Sequence, residues 1–327
     1  MAELADDADE SCERIASFLD EFASDDEPEP RPPRRPPPPF ALTAGAPYSK
    51  PFVSTAGRAF TPRFGAENFA PLLYSLVRFS KPRRIVEIGS GYTSIWLLQA
   101  IADNDAELTA AAAAVAARGD AAARYLVGLA PGGRARRATL TCVDSEAHEH
   151  ETASEVRAVA AELGLERRLK YTVGDALDPA GAAATAAAVA ASDGGADDDG
   201  GADDDGADGD GADDGGADDD GGADDDRGAI DFLVADFGAA DRLETFWALW
   251  WPRVACGGHV VVHSTLTNEL SRRWLEEKRA ALRQPGGGGF EALSMLEPHK
   301  RLQNSFSIFQ KREGAGWPGE PVYTRYP

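Results

Sequence analysis

The sequence has few cysteines and no long apolar run. Cys12, Cys142 and Cys256 are its three cysteines, and their spacing suggests no pairing. A disulfide framework is therefore not expected, and a reducing compartment, the cytoplasm, fits the composition. No segment reaches the roughly 20 consecutive strongly apolar residues of a membrane-spanning helix, so we expect no membrane partner. The first 30 residues are acidic and lack a basic start followed by an apolar stretch, which argues against a secretory signal or a transit peptide.

Positive charge is scarce, and the negative charge is concentrated in two segments. The net charge is −22, but residues 192–226 hold 17 aspartates and no basic residue, and residues 1–30 carry −11. The remainder of the chain is left with +6, so the acidity says little about the partners of the folded part. No basic stripe with interleaved aromatic residues appears, which argues against nucleic acid as the substrate. The oligomeric state cannot be read from the sequence.

Composition divides the chain into four segments. Residues 1–40 form an acidic, proline-rich arm that we expect to be disordered, and residues 192–226 form a low-complexity Gly/Ala/Asp insertion loop. Residues 41–191 and 227–327 together predict one domain of about 250 residues, enough for a sizeable core. Within the arm, residues 11–23 place apolar side chains on one face of a predicted helix. This helix either docks on the domain or on a partner, or it remains solvated.

Strand and helix patterns alternate outside these segments. Strands are predicted at residues 84–88, 139–143, 170–173, 230–235, 259–262, 290–295 and 305–310. Helices are predicted at residues 66–79, 93–102, 106–129, 148–163, 242–251 and 269–282. Residues 48–65 are loop-like, either a cover for a binding site or a plain connection. The alternation predicts an α/β fold, a doubly wound, Rossmann-like sheet that is mostly parallel, seven-stranded and closed by a terminal antiparallel strand.

Because ligands bind beyond the carboxyl ends of such strands, the residues there are the candidate site. The first strand runs into "EIGSGYTS", in which Gly89 and Gly91 permit a sharp turn close to a ligand. The helix that follows presents free N–H groups, which favour either a dinucleotide pyrophosphate or the carboxylate of S-adenosylmethionine. Ser94 stands where the third glycine of a dinucleotide motif would be. The candidate cofactor-binding residues here are Glu87, Gly89, Ser90, Gly91, Tyr92 and Thr93.

Acids also follow the second and third strands. Asp144, with Ser145 beside it, is suited to accept hydrogen bonds from a ribose diol, or it caps the next helix. Asp175 followed by Ala176 is suited to an adenine, as an acceptor for the amino group and an apolar ledge for the ring, or it forms a simple turn. These four residues complete the predicted cofactor-binding set.

The fourth and fifth strands lead to candidate catalytic residues. Asp236 could hold a cation, a substrate amine or a water, and His263 could take a proton from a substrate hydroxyl or be a structural histidine. His148 and His150 are two residues apart and make a poor metal site. An aromatic cluster either lines a substrate pocket or packs a helix on the sheet. Its members are Phe246, Trp247, Trp250 and Trp251.

Taken together, these strand ends resemble the class I S-adenosylmethionine-dependent methyltransferases, from about Ala66 to Arg312. "VEIGSGYTS" is similar to that family's first motif, with Glu87 as the acid two residues before the first glycine. "CVDS" and "GDA" resemble the ribose-binding and adenine-contacting motifs. "GGHVVVHS" and "RLQNSFSIFQKR" resemble the fifth strand and the last, antiparallel strand. The resemblance implies S-adenosylmethionine as the cofactor.

Within that family the motifs lean toward small-molecule O-methyltransferases of the catechol and caffeoyl-coenzyme A kind. Those enzymes hold a divalent metal with an acid after strand four and an Asp–Asn pair after strand five. Asp236 matches the first ligand, but His263 and Ser264 stand at the pair, so no metal is predicted. The resemblance implies methyl transfer to an oxygen of a small-molecule acceptor, assisted by His263.

Two alternatives stay open. An NAD-dependent oxidoreductase uses a similar fold, but Glu87, the missing third glycine and the predicted antiparallel strand count against it. A non-catalytic, methyltransferase-like scaffold would make the arm and the Asp-rich loop the working parts.

Overall fold

The computed structural model describes residues 49–61, 65–118, 138–147, 152–191, 230–238, 240–282, 289–297 and 304–312. All of them belong to one compact unit, Ala44–Pro327. The arm, the Asp-rich loop and the "HEH" histidines lie outside the described residues. In the part of the chain that is described, no helix has the length and apolar character needed to cross a membrane.

A seven-stranded sheet is the centre of the fold, in the order β3-β2-β1-β4-β5-β7-β6. Its strands are β1 Arg84–Ile88, β2 Thr139–Asp144, β3 Leu169–Val173, β4 Ile230–Ala235, β5 Val254–His263, β6 Phe290–Leu296 and β7 Ser305–Lys311. Strands β1 to β5 are parallel, and β7 is antiparallel to both β5 and β6. The predicted α/β class, strand number and terminal antiparallel strand are confirmed.

Helices cover both faces of the sheet. They are α1 Lys50–Ala56, α2 Ala66–Ser80, α3 Tyr92–Arg118, α4 Ala153–Glu162, α5 Pro179–Ala191, α6 Leu243–Trp250 and α7 Glu269–Leu282. Short 3-10 helices follow α1 at Gly57–Ala59, precede β3 at Glu166–Arg168 and flank α6 at Ala240–Arg242 and Trp251–Arg253. The loop-like interpretation of residues 48–65 is wrong for 50–59, and the helix at α5 was missed.

Helix α3 is continuous where two helices were predicted. The polar run at residues 103–105 suggested a break, but each side chain is bound by another part of the fold. Asp103 accepts a hydrogen bond from the Tyr74 hydroxyl (2.8 Å), and the Asn104 amide donates to the Val77 carbonyl (3.0 Å). Asp105 pairs with Arg168 at 2.9 Å. These tertiary contacts favour the helix over the local alternatives that Asp and Asn offer the backbone.

Two apolar layers fill the space between the sheet and its helices. Alternate strand residues enter opposite layers, so Ile85 packs with α1 to α4 while Val86 packs with α5 to α7. The second layer holds Phe246, Trp247 and Trp250, which are at most 8% exposed, and Trp251 packs against them. The aromatic cluster therefore packs helix α6 on the sheet, and the pocket interpretation of it is wrong.

Candidate active site

A cavity of about 660 Å³ opens at the carboxyl edge of β1 to β5. This volume is within the range of about 300–1,000 Å³ that small-molecule sites usually have. Every predicted site residue lines it: Glu87, Gly89, Ser90, Gly91, Tyr92, Thr93, Asp144, Ser145, Asp175, Ala176, Asp236 and His263. The sheet thus brings together residues that are up to 176 positions apart in the sequence.

The turn after β1 requires glycine, because it passes close to the backbone at the end of β4. Gly89 has φ +96°, and a Cβ atom there would lie 2.5 Å from the Asp236 carbonyl oxygen. Its N–H donates to the Val143 carbonyl (2.9 Å), and the Asp236 N–H donates to Ile88 (3.0 Å). The turn is therefore tied to the ends of β2 and β4, which places all three strand ends beside the same space.

Beneath the turn, Glu87 is buried in a small polar cluster. It is 1% exposed and accepts hydrogen bonds from the Thr93 and Ser94 hydroxyls, both at 2.5 Å. Ser94 Oγ in turn accepts the Gly91 N–H (3.0 Å), so the carboxyl group, through Ser94, fixes the start of α3 against the turn. Burial, opposed by the two hydroxyl donors, raises the pKa of Glu87 from 4.5 to about 7. Ser94, which stands where a dinucleotide motif has its third glycine, therefore completes this cluster.

Thr152 supports the other side of the turn. Its hydroxyl donates to the Ser90 carbonyl oxygen at 2.6 Å, immediately before helix α4. It also lines the cavity, and a Cβ atom on Gly91 would lie 3.5 Å from its hydroxyl. No sequence pattern indicated this contact, because the two residues are 62 positions apart.

Asp144 is the last residue of β2, and Asp175 lies two residues after the end of β3. Each uses one carboxylate oxygen to accept the N–H two residues later, from Glu146 at 2.8 Å and Leu177 at 2.9 Å. Asp144 does not cap the next helix, since α4 begins only at Ala153. Asp175 does form a turn, and both carboxylates still line the cavity. The second carboxylate oxygen of each forms no hydrogen bond with the described residues.

Asp236 and His263 meet at the ends of β4 and β5. The His263 Nδ1 atom is 2.8 Å from Asp236 Oδ1. His263 is the last residue of β5, paired with Phe306 of β7, rather than beyond the sheet as predicted. Burial lowers the His263 pKa, but the Asp236 carboxylate more than offsets this, so the pKa is raised above its usual value.

The two side chains differ in access to the cavity. The Asp236 side chain is 28% exposed and that of His263 only 7%. The imidazole stacks on Phe69 with ring centroids 4.6 Å apart. Its Nε2 atom is buried and makes no hydrogen bond of normal geometry in the described part of the chain. The nearby Asn304 side chain nevertheless helps to raise the pKa of the imidazole. Asp236 is therefore the member of the pair that a ligand in the cavity would touch.

The remaining walls were not identified from the sequence. Ala59 and Thr61, at the end of the α1 segment, form one side, and Phe60 contacts the Tyr92 ring with centroids 5.1 Å apart. Arg242 and Asn268 line the opposite side, beyond β4 and before α7. A signal for the first wall existed: Ser49 before Lys50–Pro51 is a typical helix start.

Among the residues that the structure describes, no three His, Cys, Asp or Glu side chains are grouped so that they could hold an ion. His263 contacts one carboxylate oxygen of Asp236. It also stands where the resemblance implies the Asp–Asn pair of metal ligands.

Comparison with known proteins gave structural likenesses only. No protein-family model matches the chain, and no curated protein does. The fold is similar to the O-methyltransferase TomG from Streptomyces achromogenes in complex with SAM (18% identity, 80% of this chain and 88% of that chain, TM-score 0.45). It is also similar to cofactor-bound Rv0187 from MTB (15%, 86% and 100%, 0.45) and to an O-methyltransferase from Bacillus cereus in complex with SAH (13%, 80% and 88%, 0.43). Scores and identities this low do not establish a family for the chain.

Proposed function

We propose that this protein transfers a methyl group from S-adenosylmethionine to an oxygen of a small-molecule acceptor. The observation that carries the proposal is the single cavity that joins the β1 turn, Asp144 and Asp175 to the Asp236–His263 pair. A cofactor bound along β1 to β3 would thus share one enclosed space with an acceptor beside β4 and β5. Such proximity is the main requirement of a displacement reaction.

The residues of the cavity fit the cofactor. The acceptor oxygens of Asp144 and Asp175 that remain free suit the ribose diol and the adenine amino group. Gly174, between β3 and Asp175, has no atom within 4 Å of a Cβ position, which leaves room for a ring. The turn at Gly89 and Gly91 precedes helix α3, whose N-terminal end favours the methionine carboxylate.

Bound S-adenosylmethionine would supply an electrophilic methyl group on a positively charged sulfur. The protein's own task is to orient the acceptor and remove its proton. The acceptor hydroxyl would donate to the Asp236 carboxylate oxygen that His263 does not bind, and the Asp236–His263 pair would take the proton. The methyl group would pass from sulfur to the acceptor oxygen, which breaks the sulfur–carbon bond and releases neutral S-adenosylhomocysteine. His263, on the far side, fixes the carboxylate. For His263 to act directly, as the sequence suggested, its ring would have to turn Nε2 toward the cavity.

The oxidoreductase alternative fits less well. The dinucleotide fold has parallel strands in the order 3-2-1-4-5-6, whereas β7 here is antiparallel and inserted beside β5. The third glycine of the dinucleotide motif permits close helix packing, but Ser94 stands at that position here and binds the buried Glu87.

Both described cysteines, Cys142 and Cys256, are free thiols, which supports the cytoplasm as the proposed location.

The test is release of S-adenosylhomocysteine from S-adenosylmethionine in the presence of catechol acceptors. Asp236→Asn removes the carboxylate and is expected to reduce turnover by about 10²–10⁴-fold, the usual contribution of a positioned base. Asp241→Asn is the matched control, because Asp241 is exposed and does not line the cavity. Equal loss in both variants, or full activity in Asp236→Asn, would contradict the assigned role.

A further inference from the structure

One side chain of the cavity has no part in the chemistry above. Arg242 is the only lysine or arginine among the described residues that line it. The other ionisable lining groups are His263, the Tyr92 phenol and the carboxyl groups of Glu87, Asp144, Asp175 and Asp236. A single permanent cation in a largely acidic cavity is placed to recognise an anion.

The guanidinium of Arg242 has no partner among the residues that the structure describes. The residue is exposed, and no ion pair or hydrogen bond joins its side chain to the described parts of the chain. The neighbouring acid on the same segment, Glu244, is bound instead by Lys278 Nζ (2.7 Å) and by Trp274 Nε1 (2.9 Å). The forked donors of Arg242 therefore remain available to a ligand.

The position of Arg242 assigns it to the acceptor end of the cavity. It closes the 3-10 helix Ala240–Arg242, which follows Asp236 and packs against α7. Asn268 and Ser271, at the start of α7, line the same region. Asn268 Oδ1 accepts the Leu270 N–H (2.9 Å), and the amide nitrogen of Asn268 forms no hydrogen bond with the described residues. Asp144 and Asp175, the proposed cofactor contacts, lie at the other end of the strand order.

We infer that the acceptor is a small hydroxy acid, whose carboxylate is bound by Arg242 with help from Asn268. Two parallel N–H donors of a guanidinium match a carboxylate geometrically. Arg242 and Asp236 line the same cavity, so an acceptor held by its acid group at Arg242 has its hydroxyl in the space that Asp236 also borders. The inference rests on the proposed methyl transfer for the identity of the reacting group, but the anion site itself does not.

The experiment compares 3,4-dihydroxybenzoate with its neutral amide, 3,4-dihydroxybenzamide. Binding of each to the full-length protein is measured by calorimetry at low ionic strength, with and without S-adenosylhomocysteine. The wild type is expected to bind the acid about tenfold tighter than the amide, and Arg242→Gln to bind the two equally. Arg242→Lys keeps the charge but not the fork and should retain part of the preference. The control is Arg273→Gln, an exposed arginine of α7 outside the cavity.

Each outcome decides a different point. An acid preference that survives in Arg242→Gln, or that is absent from the wild type, overturns the inference. Weaker binding of S-adenosylhomocysteine to Arg242→Gln, with the acid unaffected, would place Arg242 at the cofactor and also overturn it. If the protein binds the acid through Arg242 but does not bind S-adenosylhomocysteine, the anion site stands and the proposed methyl transfer fails.

Discussion

Replacing the buried Glu87 by glutamine is expected to change the pH dependence of stability. In the folded protein the pKa of Glu87 is about 7, against an ordinary value of 4.5. Between these pH values the unfolded chain loses the proton and the folded protein keeps it. The folded state binds more protons there, so stability falls as pH rises and changes no further above pH 7 through this group.

The magnitude follows from the two pKa values, whose difference corresponds to about 3 kcal/mol. Glutamine is nearly the same size and cannot ionise. Its carbonyl oxygen can accept a hydrogen bond from Thr93 or Ser94. The free energy of unfolding of Glu87→Gln, relative to wild type, should therefore increase by about 3 kcal/mol from pH 4.5 to pH 8.

The assay is urea unfolding followed by tryptophan fluorescence at several pH values, with the two proteins compared at each. Glu166→Gln is the control, because Glu166 is exposed on a 3-10 helix and should follow the wild type. A constant difference between Glu87→Gln and wild type over this pH range would refute the reasoning. A difference that shrinks as pH rises would mean that the cluster favours the ionised carboxylate.

Three further predictions concern single contacts. Asp236→Asn should lower the His263 pKa, because the carboxylate no longer opposes the effect of burial. The pKa is measured from histidine proton resonances in an NMR titration, and an unchanged value would contradict the role given to the pair. Asp144→Ala should lose binding of S-adenosylhomocysteine while its circular dichroism stays that of wild type; unchanged affinity would remove the ribose assignment. Gly89→Ala should destabilise the fold by more than about 1 kcal/mol, because its Cβ meets the Asp236 carbonyl. Gly164→Ala shares the positive φ without the clash, so equal thermal shifts in the two variants would disprove the steric argument.

The strands were predictable because their apolar runs are short, buried and bounded by turns. β1 and β4 begin and end where the sequence placed them. β5 begins five residues earlier than predicted, at Val254. The first part of β5 is irregular: Gly257 has φ +79°, and the pairing with β4 shifts register between Ile230 and Phe232. Such an irregularity interrupts the alternation of apolar and polar residues by which a strand is predicted.

Contacts between distant residues could not be predicted. Helix α5 was missed since its alanine-rich sequence has no apolar stripe, although Asp178 before Pro179 is a helix-start signal and its carboxylate accepts the Gly181 N–H at 2.8 Å. The strand ends indicated Asp236 and His263, but only the fold shows that the Asp236 side chain is the more exposed of the two. Arg242 was predicted only as the first residue of a helix, and its availability to a ligand depends on which partners the rest of the fold provides.

The most direct test of the central claim is calorimetric titration of the full-length protein with S-adenosylhomocysteine and, separately, with NADH. We expect binding of S-adenosylhomocysteine alone, with a matching thermal stabilisation of about 2.7 kcal/mol at 100 times its dissociation constant. NADH binding without S-adenosylhomocysteine binding would contradict the proposed cofactor and restore the oxidoreductase. Binding of neither would contradict the proposed enzyme and favour the scaffold.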